Sequence, residues 1–330
     1  MPRQPRLDTP GALHHVMGRG IDAIQIFGEK DDCTDFLDRL KNLCESKAMS
    51  VYAWALMSTH FHLLVRTGNL QLSSSMRKLL TGYVVNYNRR HKRYGHLFQN
   101  RYKSILCEDD PYLLELTRYI HLNPLRAGIV KSVKELNRYQ WCGHCVILGN
   151  VKRKWQDRDT ILAYFGKRRK RAIEKYEKFI IDGIKEGSRP DLVGGGLIRS
   201  LGDWSQVLSL RRSGSKVFSD ERILGSSEFV KEVITDADEK AKETLRLKLK
   251  ITDLSILAKK ICIGEKVEER ELRSGLRKRS VVKSRKLFCQ ISVMHMGYSG
   301  ADVARFLGIT TSAVNRLAVS EELPGMEKYL

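Results

Sequence analysis

A chain of 330 residues, 42% of them hydrophobic, has room for two domains of ordinary size and a real core, which excludes wholesale disorder. Its 59 lysines and arginines against 38 acidic residues leave a formal net charge of +21, so the expected partner is a polyanion, either nucleic acid or an anionic membrane surface. No apolar run approaches the ~20 residues of a membrane span, Met1 to Pro10 holds no apolar signal core, and seven scattered cysteines fit reduced thiols, so the expectation is a cytoplasmic protein that acts on nucleic acid.

The first ~130 residues alternate between strand and helix patterns. Ala12 to Gly20 reads as a short strand ending in Gly-Arg-Gly, and Asp31 to Lys47 as a helix with Phe36, Leu37, Leu40, Leu43 and Cys44 at helical spacing. Met49 to Met57 and His60 to Thr67 read as two strands broken at Ser58-Thr59, which predicts a hairpin. Leu72 to Arg90 is a long helix, Asn100 to Cys107 a further strand, and Asp109 to Asn123 a helix that Asn123-Pro124 should disturb or end. Lys152 to Lys178 is highly charged and contains the run Lys167 to Arg171, which suits a solvated helix face or contact with DNA. Ser188 to Gly196 reads as a loop or linker, and Leu224 to Leu257 as helical.

His60-Phe61-His62 lies on the second hairpin strand, where a period of two puts both imidazoles on one face. Such a pair can bind one divalent ion or simply pack. In Leu116 to Pro124, Tyr119 and Asn123 are four apart and share a helix face. Asn123 could complete a metal site through its amide oxygen while Tyr119 points a phenol at the same spot; the alternative is a core tyrosine and a helix-capping asparagine. Between Glu45 and Glu108 there is no acidic residue but ten Lys and Arg, including Arg89, Arg90, Lys92, Arg93, Arg101 and Lys103, interleaved with Tyr83, Tyr87, Tyr94, Phe98 and Tyr102. Basic side chains neutralise phosphates and aromatic faces stack unpaired bases, so this setting favours a phosphodiester substrate.

Taken in order, His60 to Val65, Asn88-Arg89-Arg90, Gly95 to Ser104 and Arg118 to Gly128 resemble the motifs of the single-tyrosine HUH transposases of the insertion-sequence-200-like group, in the branch of REP-associated tyrosine transposases. The resemblance spans about Pro10 to Trp141. It implies an α+β fold with a central antiparallel sheet flanked by helices, and metal-dependent cleavage and rejoining of single-stranded DNA through a 5'-phosphotyrosine link. It further implies Tyr119 as nucleophile, His60 and His62 as ligands of a divalent metal, Mg or Mn, and Asn123 as a further ligand. Arg118 and Arg126 join the basic residues expected to contact DNA, single-stranded or hairpin. Trp141-Cys142-Gly143-His144 departs from the Trp-Ser-Ser-Tyr common in such proteins. With Cys145 it matches a thiol–disulfide motif, but without the preceding strand and helix N-terminus that chemistry needs.

Met296 to Leu317 has helix-turn-helix spacing and resembles the DNA-binding domain of chromosomal replication initiators, with Thr311, Ser312, Asn315 and Arg316 toward the major groove. Arg273, Arg277, Lys278, Arg279, Lys283, Arg285 and Lys286 upstream add phosphate-binding charge, while a plain helical hairpin that packs on the nuclease unit is the alternative. The expected organisation is an HUH nuclease domain at 1–150, a basic helical connector at 151–243 and a small all-α helix-turn-helix domain at 244–330. Two rivals remain: a DNA-binding regulator that keeps the nuclease fold without catalysis, and a metal phosphodiesterase that uses water and leaves Tyr119 idle.

Overall fold

The structure, a computed structural model, describes residues 10–187, 222–250, 253–321 and 323–329, together with 7, 189, 192 and 220. The chain divides into two compact units, residues 1–232 and 233–330.

The first unit is built on one sheet of strands β1 (Leu13–Arg19), β2 (Met49–Met57), β3 (His60–Thr67), β4 (Lys103–Cys107) and β5 (Ile223–Leu224), in the order β2-β3-β1-β4-β5. All neighbours pair antiparallel except the short β4–β5 contact, which is parallel. Helices α1 (Lys30–Glu45) and α2 (Leu72–Arg90) cover one face. They close over Val16, Trp54, Phe61, Leu63 and Val65, the residues that alternation sends to that side. The other face carries Leu13, Ala53, Ala55, Leu64 and Ile105 and is covered by α3 (Asp109–Arg126). Short helices α4 (Val133–Leu136) and α5 (His144–Leu148) follow.

Helix α1 begins with a capping box, in which the Glu29 side chain and the Asp32 side chain each bond the other's backbone N–H. Asp32 is fully buried, and it also accepts from Arg90 at 2.8 Å and contacts His91 at 2.9 Å. These contacts tie the end of α2 to the start of α1. Burial opposes ionisation of this carboxyl, but the His91 and Arg90 bonds outweigh it and leave Asp32 below the usual carboxylate range.

Helix α3 does not end at Asn123-Pro124 as expected. It keeps Pro124 inside and runs to Arg126. The bond lost at Pro124 falls in the last turn, and fully buried Leu122 holds the segment against the sheet. The real stop is Gly128, at φ +69°, whose N–H bonds back to Leu125.

Residues read as a connector pack onto this unit. Helices α6 (Arg158–Ala163) and α7 (Arg169–Asp182) bury Ile161, Leu162, Ala172, Tyr176 and Ile180 in the core on the α3 side, and β5 extends the sheet. The run Lys167 to Arg171 is exposed at the start of α7. Of the loop read at Ser188 to Gly196, all but Arg189 and Leu192 lies outside the described residues.

The stretch read as helical from Leu224 to Leu257 is strand at Leu224 and then two helices, α8 (Ser227–Lys250) and α9 (Leu254–Glu265), with Asp253 capping α9 through the Ser255 N–H; the second unit begins within α8. Helices α10 (Glu269–Leu272), α11 (Arg279–Gln290), α12 (Gly300–Leu307) and α13 (Thr311–Ala318) complete that unit around Leu257, Ile261, Phe288, Val303, Leu307 and Val314. Ser299 caps α12, Gly308 turns the chain at φ +68°, and Thr310 caps α13. No described helix is long and apolar enough to cross a membrane.

Candidate active site

Alternation along β3 sends His60 and His62 to the α3 side of the sheet. There β1 places Arg19 opposite His60 and Met17 opposite His62. The two imidazole centroids lie 5.3 Å apart. From above, Tyr119 of α3 sets its ring edge-on to His62 at 5.8 Å and to His15 of β1 at 5.9 Å. His60, His62 and Tyr119 share the wall of one cleft of about 390 Å³ with Arg19, Arg101 and Lys103.

Both cleft histidines are held neutral. Burial lowers the pKa of His60, and the charge of Arg19 lowers it further. His62 is pushed well below its ordinary value, first by burial and then by His15 and His60. Each ring also spends Nδ1 on a hydrogen-bonding partner, His60 on Thr59 Oγ1 at 3.1 Å and His62 on His15 Nε2 at 3.0 Å. Neutral imidazoles whose Nδ1 is engaged have Nε2 left for a cation, and that donor set fits a divalent metal. Among the described residues no group of three or more His, Cys, Asp or Glu is arranged around a metal position. The remaining ligands would therefore be an amide, water or substrate oxygens.

Asn123 sits one turn beyond Tyr119, buried, with no hydrogen-bond partner for its Nδ2 among the described residues, and it does not line the cleft. Arg126 lies over the Tyr119 ring at 5.7 Å and donates Nη2 to the Gly183 carbonyl, while its buried Nε and Nη1 have no partner among the described residues. Burial lowers the pKa of this guanidinium.

The other expected DNA contacts divide. Arg101 and Lys103 are exposed in the cleft, and Arg89 and Lys92 are exposed on the surface. Arg93 is half-buried and bonds Tyr87. Arg90 is committed to Asp32, and Arg118 is buried against Glu115 at 2.7 Å, Glu186 at 2.6 Å and the Phe179 ring, so both brace the fold. Among the interleaved aromatics, Tyr83 and Tyr87 are core residues that bond the carbonyls of Ile26 and Gln25, and Tyr102 is buried; Tyr94 is exposed. Tyr119 is thus the tyrosine that the cleft presents.

In the second unit Thr311, Ser312 and Arg316 are exposed on α13, whereas Asn315 is half-buried and packs against Gly300. Arg285 is buried and donates to the carbonyls of Glu271, Leu272, Ser274 and Leu276. Cys142 and Cys145 are buried thiols. Burial pushes Cys142 far up and Cys145 to about 11, so neither is a thiolate.

Two cleft neighbours escaped the sequence reading, His15 and Arg19. Both lie on β1, and only the pairing of β1 with β3 brings them to the histidine pair. The available signals were the alternation His15, Met17, Arg19 on a short strand and the Gly-Arg-Gly at its end.

Residues 13–123 match the family described as "Transposase IS200 like", a span that contains His60, His62, Tyr119 and Asn123. A solved structure described as a REP-associated tyrosine transposase bound to a REP hairpin is 14% identical, covers 48% of this chain and 90% of that one, and superposes with a TM-score of 0.38. No curated protein matches the chain.

Proposed function

We propose that the first unit cleaves and rejoins single-stranded DNA, with Tyr119 as the nucleophile. The observation that carries this reading is the placement of the Tyr119 ring edge-on to His62, in a cleft walled by both histidines and by Arg19, Arg101 and Lys103. The match to IS200-like transposases over the same residues supports it. Arg19, Arg101 and Lys103 would draw a phosphodiester into the cleft. An unpaired strand reaches such a concave site without the cost of melting a duplex.

In the proposed step, Tyr119 Oη forms a bond to phosphorus and the bond to the 3' oxygen breaks. The phenol proton leaves to solvent and the freed 3' oxygen takes up a proton, so the product is a 5'-phosphotyrosine and a 3'-hydroxyl. Rejoining is the reverse with a new 3'-hydroxyl. Arg126 favours the phenolate electrostatically. A divalent metal, Mg or Mn, held by His60 and His62 with Asn123 as a further ligand, would neutralise charge on the phosphate oxygens. Asn123 does not line the cleft, so that role would need its amide turned to present the oxygen there, a turn that costs no hydrogen bond at Nδ2, which finds no acceptor among the described residues. The second unit is proposed to bind duplex DNA through the exposed face of α13.

Incubation of the protein with labelled single-stranded DNA and Mn or Mg, followed by a denaturing gel, tests the reading. A covalent adduct that disappears in Tyr119→Phe is expected. Cleavage without an adduct would assign the attack to water, and DNA binding with neither would leave a regulator.

A further inference from the structure

His15 lies fully buried behind the proposed metal ligands, with both ring nitrogens engaged. Its Nδ1 is 3.2 Å from the carbonyl oxygen of Leu192, and its Nε2 is 3.0 Å from Nδ1 of His62. The two imidazoles stack at 5.3 Å with an interplanar angle of 27°.

Hydrogen-bond chemistry fixes the direction of this chain. A backbone carbonyl can only accept, so the hydrogen between His15 and Leu192 sits on His15 Nδ1. In the neutral ring Nε2 is then bare and can only accept. The hydrogen between the two rings must therefore sit on His62 Nδ1, which leaves the lone pair of His62 on Nε2. The reverse polarity would need a hydrogen on a carbonyl oxygen, and it would put the His62 hydrogen on the nitrogen meant for the metal.

From this we infer that His15 is a positioning residue for the metal site, one that locks His62 in the tautomer whose Nε2 can bind a divalent cation and that is itself held by the Leu192 carbonyl. His15 touches neither metal nor substrate. The inference rests on the proposed role of His62 as a ligand. It links that ligand to the backbone carbonyl of Leu192, far along the chain from both histidines. Partners that orient a ligating imidazole are commonly worth 10- to 100-fold in metal affinity.

The test uses the full chain and three variants. His15→Leu fills the space but cannot accept. His15→Gln places an amide oxygen near the position of Nε2 and an N–H₂ that can reach the Leu192 carbonyl. His62→Ala is the control for the ligand itself. Two quantities are measured: Mn²⁺ affinity by calorimetry without DNA, and the His62 tautomer in the metal-free protein by ¹⁵N NMR.

The expected result is hydrogen on His62 Nδ1 in the wild type, an altered tautomer and about 10- to 100-fold weaker Mn²⁺ binding in His15→Leu, and recovery of most of both in His15→Gln. Unchanged tautomer and affinity in His15→Leu would overturn the inference, as would equal losses in the Leu and Gln variants, which would reduce His15 to packing. Full Mn²⁺ affinity in His62→Ala would instead remove the ligand reading, and the metal-free NMR arm would still decide whether His15 sets the tautomer.

Discussion

Arg126 is the residue at which stability and the proposed chemistry pull in opposite directions. Two of its guanidinium nitrogens are buried with no partner among the described residues, beside the ring of Tyr119. A buried cation with unmet donors is a cost to folding, and replacing such a group by an apolar side chain of similar size is often neutral or stabilising. The same cation, 5.7 Å from the Tyr119 ring, would lower the energy of a phenolate or an incoming phosphate. Arg126→Met should therefore leave the melting temperature unchanged or raise it, while it slows adduct formation by about 10²-fold, the usual scale for one preorganised electrostatic partner. Thermal melts and single-turnover adduct kinetics check the two halves separately. A variant that loses stability and keeps its rate would place Arg126 among the structural arginines with Arg90 and Arg118. The sequence made no distinction among these three, since an arginine looks the same whether its partner is a distant carboxylate, as Asp32 is for Arg90, or a substrate. The histidine pair and the tyrosine were legible because their spacing is local to one strand and one helix. His15 and Arg19 were not, because strand order decides which strand lies beside β3.

At the scale of elements, β1 and β3 pack too closely behind the site to leave room for an added side chain at Gly18. Gly18 of β1 lies opposite Phe61, the residue between the two histidines, and a Cβ added there would sit 2.5 Å from the Phe61 ring. Gly18→Ala should cost about 1–3 kcal/mol, as overpacking in a close-fitted core does. By pushing Phe61 it should also weaken Mn²⁺ binding, although residue 18 is not a proposed ligand. Chemical denaturation and calorimetry measure both, and a destabilised variant with intact Mn²⁺ affinity would show that β3 absorbs the strain without moving the histidines.

A second element-scale expectation concerns the contact of α3 with α5 and α7. His121 and His144 both bond the Tyr176 hydroxyl, at 2.7 and 2.9 Å, and His144 also bonds Asn137 at 2.8 Å. Burial lowers the pKa of His144 to about 3 and that of His121 well below its ordinary value. With folded pKa values below the unfolded one, the unfolded chain takes up protons first as pH falls, so stability is full above about pH 6.5 and is lost as pH drops toward the folded values. For His144 alone the loss by pH 5 is about 2 kcal/mol. A His144→Gln variant should show a flatter decline over that window, and an equally steep one would assign the acid sensitivity to other groups. The bounds of β2, β3 and α2 were readable to the residue because alternation and helical spacing are strong there. The end of α3 was not, since Pro124 is tolerated only where the last turn is pinned by burial of Leu122.

On the scale of the whole molecule, a net charge of +21 favours a polyanionic partner without telling the two units apart. What distinguishes them is the shape of the cationic surface: a concave cleft with a tyrosine in the first unit, and in the second a convex helix, α13, with Thr311, Ser312 and Arg316 exposed. Much of the other charge in the second unit is spent internally. Arg285 binds four carbonyls, Lys278 pairs with Glu271, Lys283 with Glu265, and Arg273 stacks on Phe306. Duplex binding by this unit should therefore depend on few side chains. Arg316→Ala should weaken binding of full-length protein to a duplex by about 1–3 kcal/mol if the side chain reads a base. A loss uniform across sequences, with a shallower salt dependence, would mark a phosphate contact instead. Adduct formation on a saturating single-stranded oligonucleotide should be unchanged, because His60, His62, Tyr119 and the cleft all belong to the first unit. A point variant is the right instrument. A chain cut near residue 194 would lose Ile223–Leu224, the strand that pairs with β4, and would confuse loss of recognition with damage to the sheet. Titration of a duplex, a hairpin with a single-stranded flank and the bare single strand, each at two salt concentrations, separates the contributions. If Arg316→Ala leaves all three affinities at their wild-type values, α12 and α13 are a packing hairpin, and the choice of DNA target rests with the first unit alone.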